Sequence, residues 1–484
     1  QQRLWFLHKL EGPSPTYNIP LPLRLTGALD VPALRAALAD VVARHESLRT
    51  VFTDTEDGAC QVILETAAPE LVVREIEPGR LDAELAEAAR YAFDLAGEIP
   101  VRAWLFRLTE AEAEAEWVLV LVVHHIAADG WSLAPLARDL TRAYGARVQG
   151  RAPGWEALAV QYADYALWQR EVLGTAEDAG GVLAGQLAYW RRQLADLPEE
   201  LALPVDRPRP AVASHRGARV SFDIPADTHL KLQQVARAHG CSMFMLTQAA
   251  LAALLSRFGA GHDIPIGSPI AGRLDDGLSD LVGFFVNTLV LRTDLTGNPT
   301  FAELLARVRE TDLAAYAHQD VPFEQLVEAL NPARSLSRHP LFQTLLTYNH
   351  QDPQEAVNAA GTAGPLTVSP YATATETAKT DLAFTLTERS DDTGTTAGIS
   401  GRLDYATDLF DHDTAAQLVA GLQLLLGQVA DNPEQPVHTL ATLTEHEVER
   451  ITQGWNDTGV VPVGDGFLVD RFVRQAGETP GAVA

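Results

Sequence analysis

The sequence predicts a mixed α/β fold built from two lobes. Segments in which apolar residues alternate, as in strands, are interleaved with segments in which they recur every three to four positions, as in helices. Residues 198–210 contain four prolines and divide this series into two halves with a similar order of elements. With 484 residues, the chain is also too long for one ordinary core.

The first half is predicted to alternate strands with helices up to the proline-rich segment. Strands are expected at residues 17–25, 101–108 and 117–123, with shorter strand segments inside 61–73. An acidic turn at 109–116 joins the last two strands. Helices are expected at residues 31–45, 81–93, 132–149, 159–173 and 186–195. Asp30 and Ser132 are candidate N-caps, and Pro32 lies in a first helical turn.

The second half repeats the theme. Strands are expected at residues 219–224, 263–270, 286–292, 343–348 and 381–387. Helices are expected at residues 225–240, 242–258, 300–318, 322–330 and 415–431. Residues 341–350 resemble the strand that precedes His124, which suggests a duplication with one active copy. Residues 352–370 are poor in large apolar side chains and are predicted to form a long loop or a crossing element.

Composition excludes several classes of function. A net charge of -27 argues against a nucleic-acid partner, because neutralising phosphates requires clustered Lys and Arg. Cys60 and Cys241 lie far apart, so neither a disulfide framework, a zinc site nor a cysteine nucleophile is indicated, and a reducing cytoplasm fits. No apolar run approaches about 18 residues, so no membrane-spanning helix is expected. The start shows no secretory leader and lacks an initiator Met, which predicts a segment of a longer polypeptide.

The segment H-H-I-A-A-D-G, from His124 to Gly130, is the candidate catalytic loop because it directly follows an apolar strand. Neighbouring side chains on a strand point to opposite faces, so one histidine can face a substrate while the other packs inward. A histidine can take or hold a proton near neutral pH. Asp129 can fix the loop by pairing with a cation, and Gly130 permits a tight turn. Although many His-His pairs are structural, the whole pattern favours acyl transfer.

Seven segments, in order along nearly the whole chain, resemble the motifs of condensation domains of nonribosomal peptide synthetases. These segments are residues 2–7, 44–52, 124–130, 162–168, 266–273 with 283–288, 318–324 and 338–343. The tail resembles the link into an adenylation domain. The resemblance implies two chloramphenicol-acetyltransferase-like lobes in a V-shaped pseudo-dimer with a tunnel between them. Residues 1–180 are expected to form the N-terminal lobe, 181–445 the C-terminal lobe with crossing elements, and 446–484 a linker into a truncated adenylation domain.

The resemblance also implies the reaction and its partners. An amine on an acceptor carrier domain attacks a peptidyl or aminoacyl thioester on a donor carrier domain, and a peptide bond forms. The expected enzyme is thus an acyl or aminoacyl transferase of secondary metabolism, such as antibiotic or siderophore synthesis. Upstream donor and downstream acceptor carriers deliver substrates on phosphopantetheine arms, while the segment itself is expected to bind no cofactor and no metal. A cytoplasmic location, without nucleic acid or membrane partners, is expected.

Roles follow for the motif residues. His125 is the predicted catalytic residue, either accepting the proton of the amine or positioning it by a hydrogen bond. His124 is predicted to be structural. The resemblance implies that Asp129 pairs with an arginine, and Arg49 is the candidate. Gly130 either offers its N–H to the thioester oxygen or serves only as a turn glycine. Trp131, Ser132, Ser268 and Asn287 are predicted to line the tunnel, although a strand asparagine can instead bind only backbone.

Alternatives from other classes remain. An epimerisation domain keeps both histidines, whereas a cyclisation domain has an aspartate in place of the first, so the intact pair argues strongly against cyclisation. A non-catalytic recruitment platform is a third possibility, which the complete motif argues against. Trp131 and Ser132 after Gly130, and the adenylation-like tail, favour condensation. Residues 124–133 and 12–20 look closer to members that accept a donor ending in a D-residue, with an L-donor type as the rival.

Overall fold

The computed structural model describes residues 1–56, 58–108, 116–176, 178, 180–333, 335–350, 366–371, 377–390, 395–458 and 467–481. It confirms the mixed α/β fold, with one five-stranded sheet, one six-stranded sheet and a two-stranded hairpin. Each large sheet has its own hydrophobic core. The predicted acidic turn at 109–115 and residues 352–365 of the predicted crossing segment lie outside the described residues.

The first lobe contains most of the elements before residue 200. Its strands are β1 (Asn18–Thr26), β2 (Thr50–Thr55), β3 (Gly58–Ile63), β4 (Leu71–Ile76), β5 (Val101–Leu108) and β6 (Glu116–His124). The helices of this part are α1 (Gln2–Glu11), α2 (Val31–Arg44), α3 (Leu81–Ala89), α4 (Leu133–Val148), α5 (Tyr162–Leu173) and α6 (Val182–Gln193). Asp30 caps α2 as predicted, accepting a hydrogen bond from the backbone N of Ala33 at 2.9 Å.

The second lobe follows. Its strands are β7 (Gly217–Ile224), β8 (Asp263–Ile270), β9 (Asn287–Asp294), β10 (Thr344–Asn349), β12 (Leu382–Ser390) and β13 (Thr396–Ala406), and the short strand β11 (Thr367–Pro370) lies between β10 and β12 in the chain. The helices are α7 (Ala226–Ala238), α8 (Met243–Leu255), α9 (Phe301–Tyr316), α10 (Phe323–Leu330), α11 (His412–Asp431), α12 (Glu445–Glu449) and α13 (Leu468–Glu478). Strand β13 was missed by the sequence prediction.

The two large sheets repeat one pairing pattern. In the first lobe, β6 lies antiparallel between β1 and β5, and β5 pairs in parallel with β4. In the second lobe, β13 lies antiparallel between β7 and β12, and β12 pairs in parallel with β10. The repeated order of elements is therefore present, but the counterpart of β6 is β13. The comparison of residues 341–350 with β6 was wrong, because β10 pairs in parallel with both of its neighbours.

Strand β11 ties the lobes together. It lies in the chain between two strands of the second sheet, yet it pairs antiparallel with the edge strand β1 of the first, from Leu23 opposite Pro370 to Thr26 opposite Thr367. The described end of the predicted crossing segment is thus a strand. The crossing also covers backbone groups that an edge strand would otherwise expose.

The sequence was expected to contain no helix long and apolar enough to span a membrane, but one helical stretch meets that description. Met243–Ala260 is long and apolar enough to cross a membrane by length and composition, but 72% of it is buried inside the protein. It comprises α8, whose residues are almost all in the core of the second lobe. A helix that is apolar on every side suits such a central position equally well.

Candidate active site

Strand β6 delivers the two histidines. Its residues 118–123 are all buried, because the strand is central in its sheet. At its end, the backbone N of His125 donates to the carbonyl of Tyr17 at 2.7 Å. The backbone N of Ile126 donates to Nδ1 of His124 at 3.1 Å, and the His124 ring lies edge-on to Phe93. His124 is therefore packed inward, with its Nδ1 used by the backbone.

His125 points to the other side and meets the second lobe. Its ring makes an edge-on contact with Phe284, with centroids 5.0 Å apart. Its Nδ1 is buried and makes no hydrogen bond within the described part of the chain. A buried ring nitrogen without a hydrogen-bond partner calls for an explanation, and a catalytic role is one.

Both imidazoles are held in the neutral form. Burial lowers the pKa of His125 to about 4, and the positive charge of Lys379 acts in the same direction, while Asp129 opposes it. Burial also lowers the pKa of His124 to about 3, with the charge of His125 as the next cause. At pH 7, a proton on His125 would cost about 4 kcal/mol. The ring is thus better suited to accept a hydrogen bond than to store a proton.

Asp129 is fully buried and joins the histidine loop to the second lobe. One carboxylate oxygen, Oδ2, accepts hydrogen bonds from the backbone N of Phe285 at 2.9 Å and of Val286 at 3.1 Å. The other, Oδ1, accepts from the backbone N and the hydroxyl of Ser132, at 2.9 and 2.8 Å. These bonds fix the turn that follows His125.

Asp129 pairs with Arg273, so the prediction that it pairs with Arg49 was wrong. Arg273 Nη2 lies 3.3 Å from Asp129 Oδ1, and its other nitrogen donates to the carbonyls of Leu278 and Leu281. Arg49 instead pairs with Glu46 at 3.2 Å, in the turn before β2. Both arginines stand in segments with family resemblance, and spacing along the chain cannot choose between them, since the pairing depends on how the lobes meet.

Two of the predicted tunnel residues, Ser132 and Asn287, make hydrogen bonds within the protein. Ser132 is fully buried, and its hydroxyl lies 2.8 Å from Asp129 Oδ1 and 2.9 Å from the carbonyl of Gly283, either of which can accept its one proton. The side chain neither lines an open channel nor caps α4. The amide of Asn287 donates to the carbonyls of Gln319 and Val321 and accepts from two backbone N–H groups. Asn287 therefore satisfies backbone, which was the alternative reading of this residue.

The remaining predicted residues differ in accessibility. Ser268 is buried on β8, whereas Gly130 and Trp131 are exposed at the start of the turn Gly130–Ser132. A Cβ at Gly130 would meet no atom within 4 Å, so packing alone does not require glycine there. Of the four predicted tunnel residues, Trp131 is the one that solvent reaches readily.

Sequence reasoning missed three residues at the histidines. Tyr17 provides the carbonyl that holds His125, Phe284 covers the His125 ring, and Lys379 brings a positive charge. Phe284 lies in residues 283–288, which carry the family resemblance, and Tyr17 lies in residues 12–20, which were compared only for the donor subtype, so the signal was present but unassigned. Within the described residues, no group of three His, Cys, Asp or Glu side chains is placed to hold a metal ion.

Comparison with known sequences identifies one family and its relatives. The model of the condensation domain family matches residues 1–452. A dimodular nonribosomal peptide synthase of Bacillus subtilis (strain 168) is 50% identical over 486 residues, with 100% of this chain and 20% of the relative covered. The isonitrile lipopeptide synthase of Mycobacterium tuberculosis (strain ATCC 25618 / H37Rv) is 47% identical, with 95% and 18% covered. The chain thus spans at most about a fifth of these relatives.

Solved structures agree with the fold. The X-domain from teicoplanin biosynthesis is 41% identical, with a TM-score of 0.83 and coverage of 91% of this chain and 96% of that chain. The first condensation domain of the CDA synthetase gives a TM-score of 0.71 at 21% identity, covering 92% of this chain and 97% of that chain. At 21% identity, the similarity to the CDA synthetase domain shows the fold alone.

Proposed function

The chain belongs to the condensation domain family, and on this premise we propose that it forms peptide bonds in nonribosomal peptide synthesis. The observation that carries the proposal is the pinned histidine loop. Asp129 is held by Arg273 and by backbone of the second lobe, while Nδ1 of His125, at the meeting point of the lobes, has no hydrogen-bond partner among the described residues. Such a loop holds one imidazole in a fixed place, as catalysis by positioning requires.

We propose that His125 accepts a hydrogen bond from the attacking amine. The amine must be neutral to attack. By accepting a hydrogen bond from the amine, the neutral imidazole orients the lone pair of the amine nitrogen towards the thioester carbon. The low pKa of His125 favours orientation over net proton storage. Gly130, exposed beside the turn, remains our candidate for an N–H towards the thioester oxygen, with Trp131 at the edge of the substrate channel.

Condensation domains of these synthetases work with carrier-bearing modules and adenylation domains. For this chain we propose upstream donor and downstream acceptor carriers, phosphopantetheine arms as the substrate handles, and an adenylation domain joined through residues 446–484. The last described helix, α13, lies in that tail. We also propose a cytoplasmic location, and a donor ending in a D-residue, on the basis of residues 12–20 and 124–133.

Recruitment without catalysis is the second candidate. It is favoured by the 41% identity to the X-domain, one of whose structures is a complex with OxyB from teicoplanin biosynthesis. Against it stands the complete motif from His124 to Gly130, with the loop held as described. An epimerisation domain would share the histidines, and is distinguished by its product.

Product analysis by mass spectrometry tests these candidates. The protein would be mixed with a donor carrier loaded with a D-ended or L-ended dipeptidyl thioester and with an aminoacyl acceptor carrier. Wild type, His125→Ala and the exposed control His446→Ala would be compared. Tripeptide on the acceptor that requires His125 but not His446 supports condensation, and the preferred epimer assigns the subtype. Inversion of the loaded residue indicates epimerisation. No extension with either donor, from folded protein and loaded carriers, contradicts the proposal.

A further inference from the structure

Lysine is rare in this chain, and one lysine stands apart. Only Lys9, Lys231 and Lys379 occur among 37 basic residues. Lys9 and Lys231 lie at the surface and pair with Asp54 and Asp431. No carboxylate pairs with Lys379 within the described part of the chain, and its Nζ instead lies over the ring of Tyr17, 5.6 Å from the centroid. An ammonium left without an anion beside an active site suggests that the anion comes from the substrate.

The position of Lys379 is fixed from the second lobe. Just before it, the backbone N of Ala378 donates to the carbonyl of His215 at 2.9 Å. Just after it, Asp381 accepts from Arg209 Nη1 at 2.9 Å, in a largely buried pair. The short segment between these anchors presents Lys379 to Tyr17 of the first lobe.

Tyr17 connects Lys379 to the catalytic histidine. The Tyr17 carbonyl accepts the backbone N–H of His125, while the Tyr17 ring lies under the ammonium. The charge of Lys379 also lowers the pKa of both His124 and His125. Lys379 is accessible to solvent, yet desolvation lowers the pKa of its ammonium.

We propose that Lys379 is a further functional residue of the condensation site, whose ammonium stabilises the negative charge that develops on the donor thioester oxygen. This inference rests on the proposed function. When the amine nitrogen forms a bond to the thioester carbon, the π pair of the carbonyl moves onto oxygen. When the carbonyl reforms, the C–S bond breaks and the sulfur leaves with the bonding pair of that C–S bond. The thiolate then takes the proton lost by the nitrogen. A fixed cation favours the charged intermediate between these steps.

Lysine suits this position better than the arginine used elsewhere in the chain. Its ammonium is a compact point charge on a flexible stem, whereas a guanidinium is planar and made for two-pronged pairing with a carboxylate. A single developing oxyanion is better matched by the compact charge of an ammonium. We therefore expect arginine at position 379 to keep part of the effect, and an uncharged side chain of similar length to lose it.

Single-turnover kinetics with loaded carriers test the inference. Lys379→Met removes the charge and keeps the stem, Lys379→Arg keeps the charge, and Lys231→Met is the matched surface control. We expect Lys379→Met to slow the bond-forming step by about 10- to 100-fold, somewhat less than the loss of one oxyanion donor in a dry site. The acceptor-carrier concentration that gives the half-maximal rate should change by less than about threefold, and Lys379→Arg should react at least about threefold faster than Lys379→Met.

Two kinetic results would overturn the proposed role of Lys379. A Lys379→Met rate within about twofold of wild type overturns the inference, as does a Lys379→Arg rate no higher than that of Lys379→Met. If wild type makes no peptide, the proposed function itself fails, which the wild-type reaction alone reveals. Thermal unfolding of each variant shows whether a loss of rate reflects loss of fold, and Lys379→Gln replaces Lys379→Met if the latter does not fold.

A titration separates an electrostatic role from a structural one. Among the described residues, the charged or titratable groups that act on His125 are Lys379, Asp129 and His124. With the ammonium removed, the pKa of His125 should rise from about 4 towards its ordinary value, as followed by NMR of labelled histidine. In Lys231→Met it should not move. An unchanged pKa of His125 in Lys379→Met would place the ammonium too far from the reacting groups and overturn the inference.

Discussion

Arg273 and Asp129 are separated by 144 positions in the sequence, yet Arg273 Nη2 lies 3.3 Å from Asp129 Oδ1. Both side chains are almost fully withdrawn from solvent. The pair joins the histidine loop of the first lobe to a segment of the second. The histidine loop is therefore shaped by the contact between the lobes.

Breaking this pair from one side should destabilise the protein strongly. Asp129→Ala leaves the Arg273 charge buried, and we expect a loss of about 3–5 kcal/mol in the free energy of unfolding, measured by urea denaturation. Arg273→Ala should cost a similar amount, and the double variant less than the sum of the two. Lys231→Ala, which breaks an exposed pair, should leave the free energy of unfolding nearly unchanged. Equal losses in Lys231→Ala and Asp129→Ala would contradict this account.

The adjacent histidines should respond differently to substitution. His124→Ala removes the acceptor of the Ile126 N–H and opens a cavity beside Phe93, so we expect a loss of about 2–4 kcal/mol in stability. His124→Asn, whose side-chain oxygen can replace Nδ1, should recover part of it. His125→Ala should leave the unfolding midpoint nearly unchanged and remove the activity. A stable, active His125→Ala together with an inactive His124→Asn would reverse the assignment of roles.

Acid should destabilise the fold through the same two residues. The pKa of His124 is about 3 and that of His125 about 4 in the folded protein, against about 6.5 when unfolded. Between about pH 4 and 6.5, the unfolded chain thus binds more protons, and stability falls as the pH falls. Each histidine contributes about 1.4 kcal/mol per pH unit in this window. Denaturation of wild type and His124→Asn at several pH values should give a shallower slope for the variant. Parallel slopes would refute this prediction.

Asp312 should act in the opposite direction. It is fully buried, Gln248 donates to one of its oxygens at 3.1 Å, and burial raises its pKa to about 7. Between about pH 3.8 and 7, the folded protein holds a proton that the unfolded chain releases, so this group lowers stability as the pH rises. Asp312→Asn, which imitates the neutral acid, should be more stable than wild type by up to about 4 kcal/mol at pH 8. The difference should shrink below pH 4, and a constant difference would show that Asp312 does not titrate there.

Local features of the fold could be predicted because their causes are local. The unbroken apolar run of β6 predicted a buried strand, and Asp30 before a periodic segment predicted a capped helix; both are present. Most helices and strands were found within a few residues of their bounds. Strand β13 was missed because its glycines, Ser400 and Asp404 resemble a loop. In the sheet, Gly401 is required, since a Cβ there would lie 2.2 Å from the Phe222 ring.

By itself, the sequence determined the two-lobed α/β fold, the family resemblance and the loop that carries His125. Only the tertiary structure decided that Arg273 pairs with Asp129, that Ser132 and Asn287 bind backbone, and that Lys379 lies beside Tyr17. Helix and strand patterns arise between residues a few positions apart, where spacing determines which side chains share a face. The partners of a buried charge come from segments brought together by the crossing of β11 and the meeting of the lobes, and spacing along the chain carries no information about that distance.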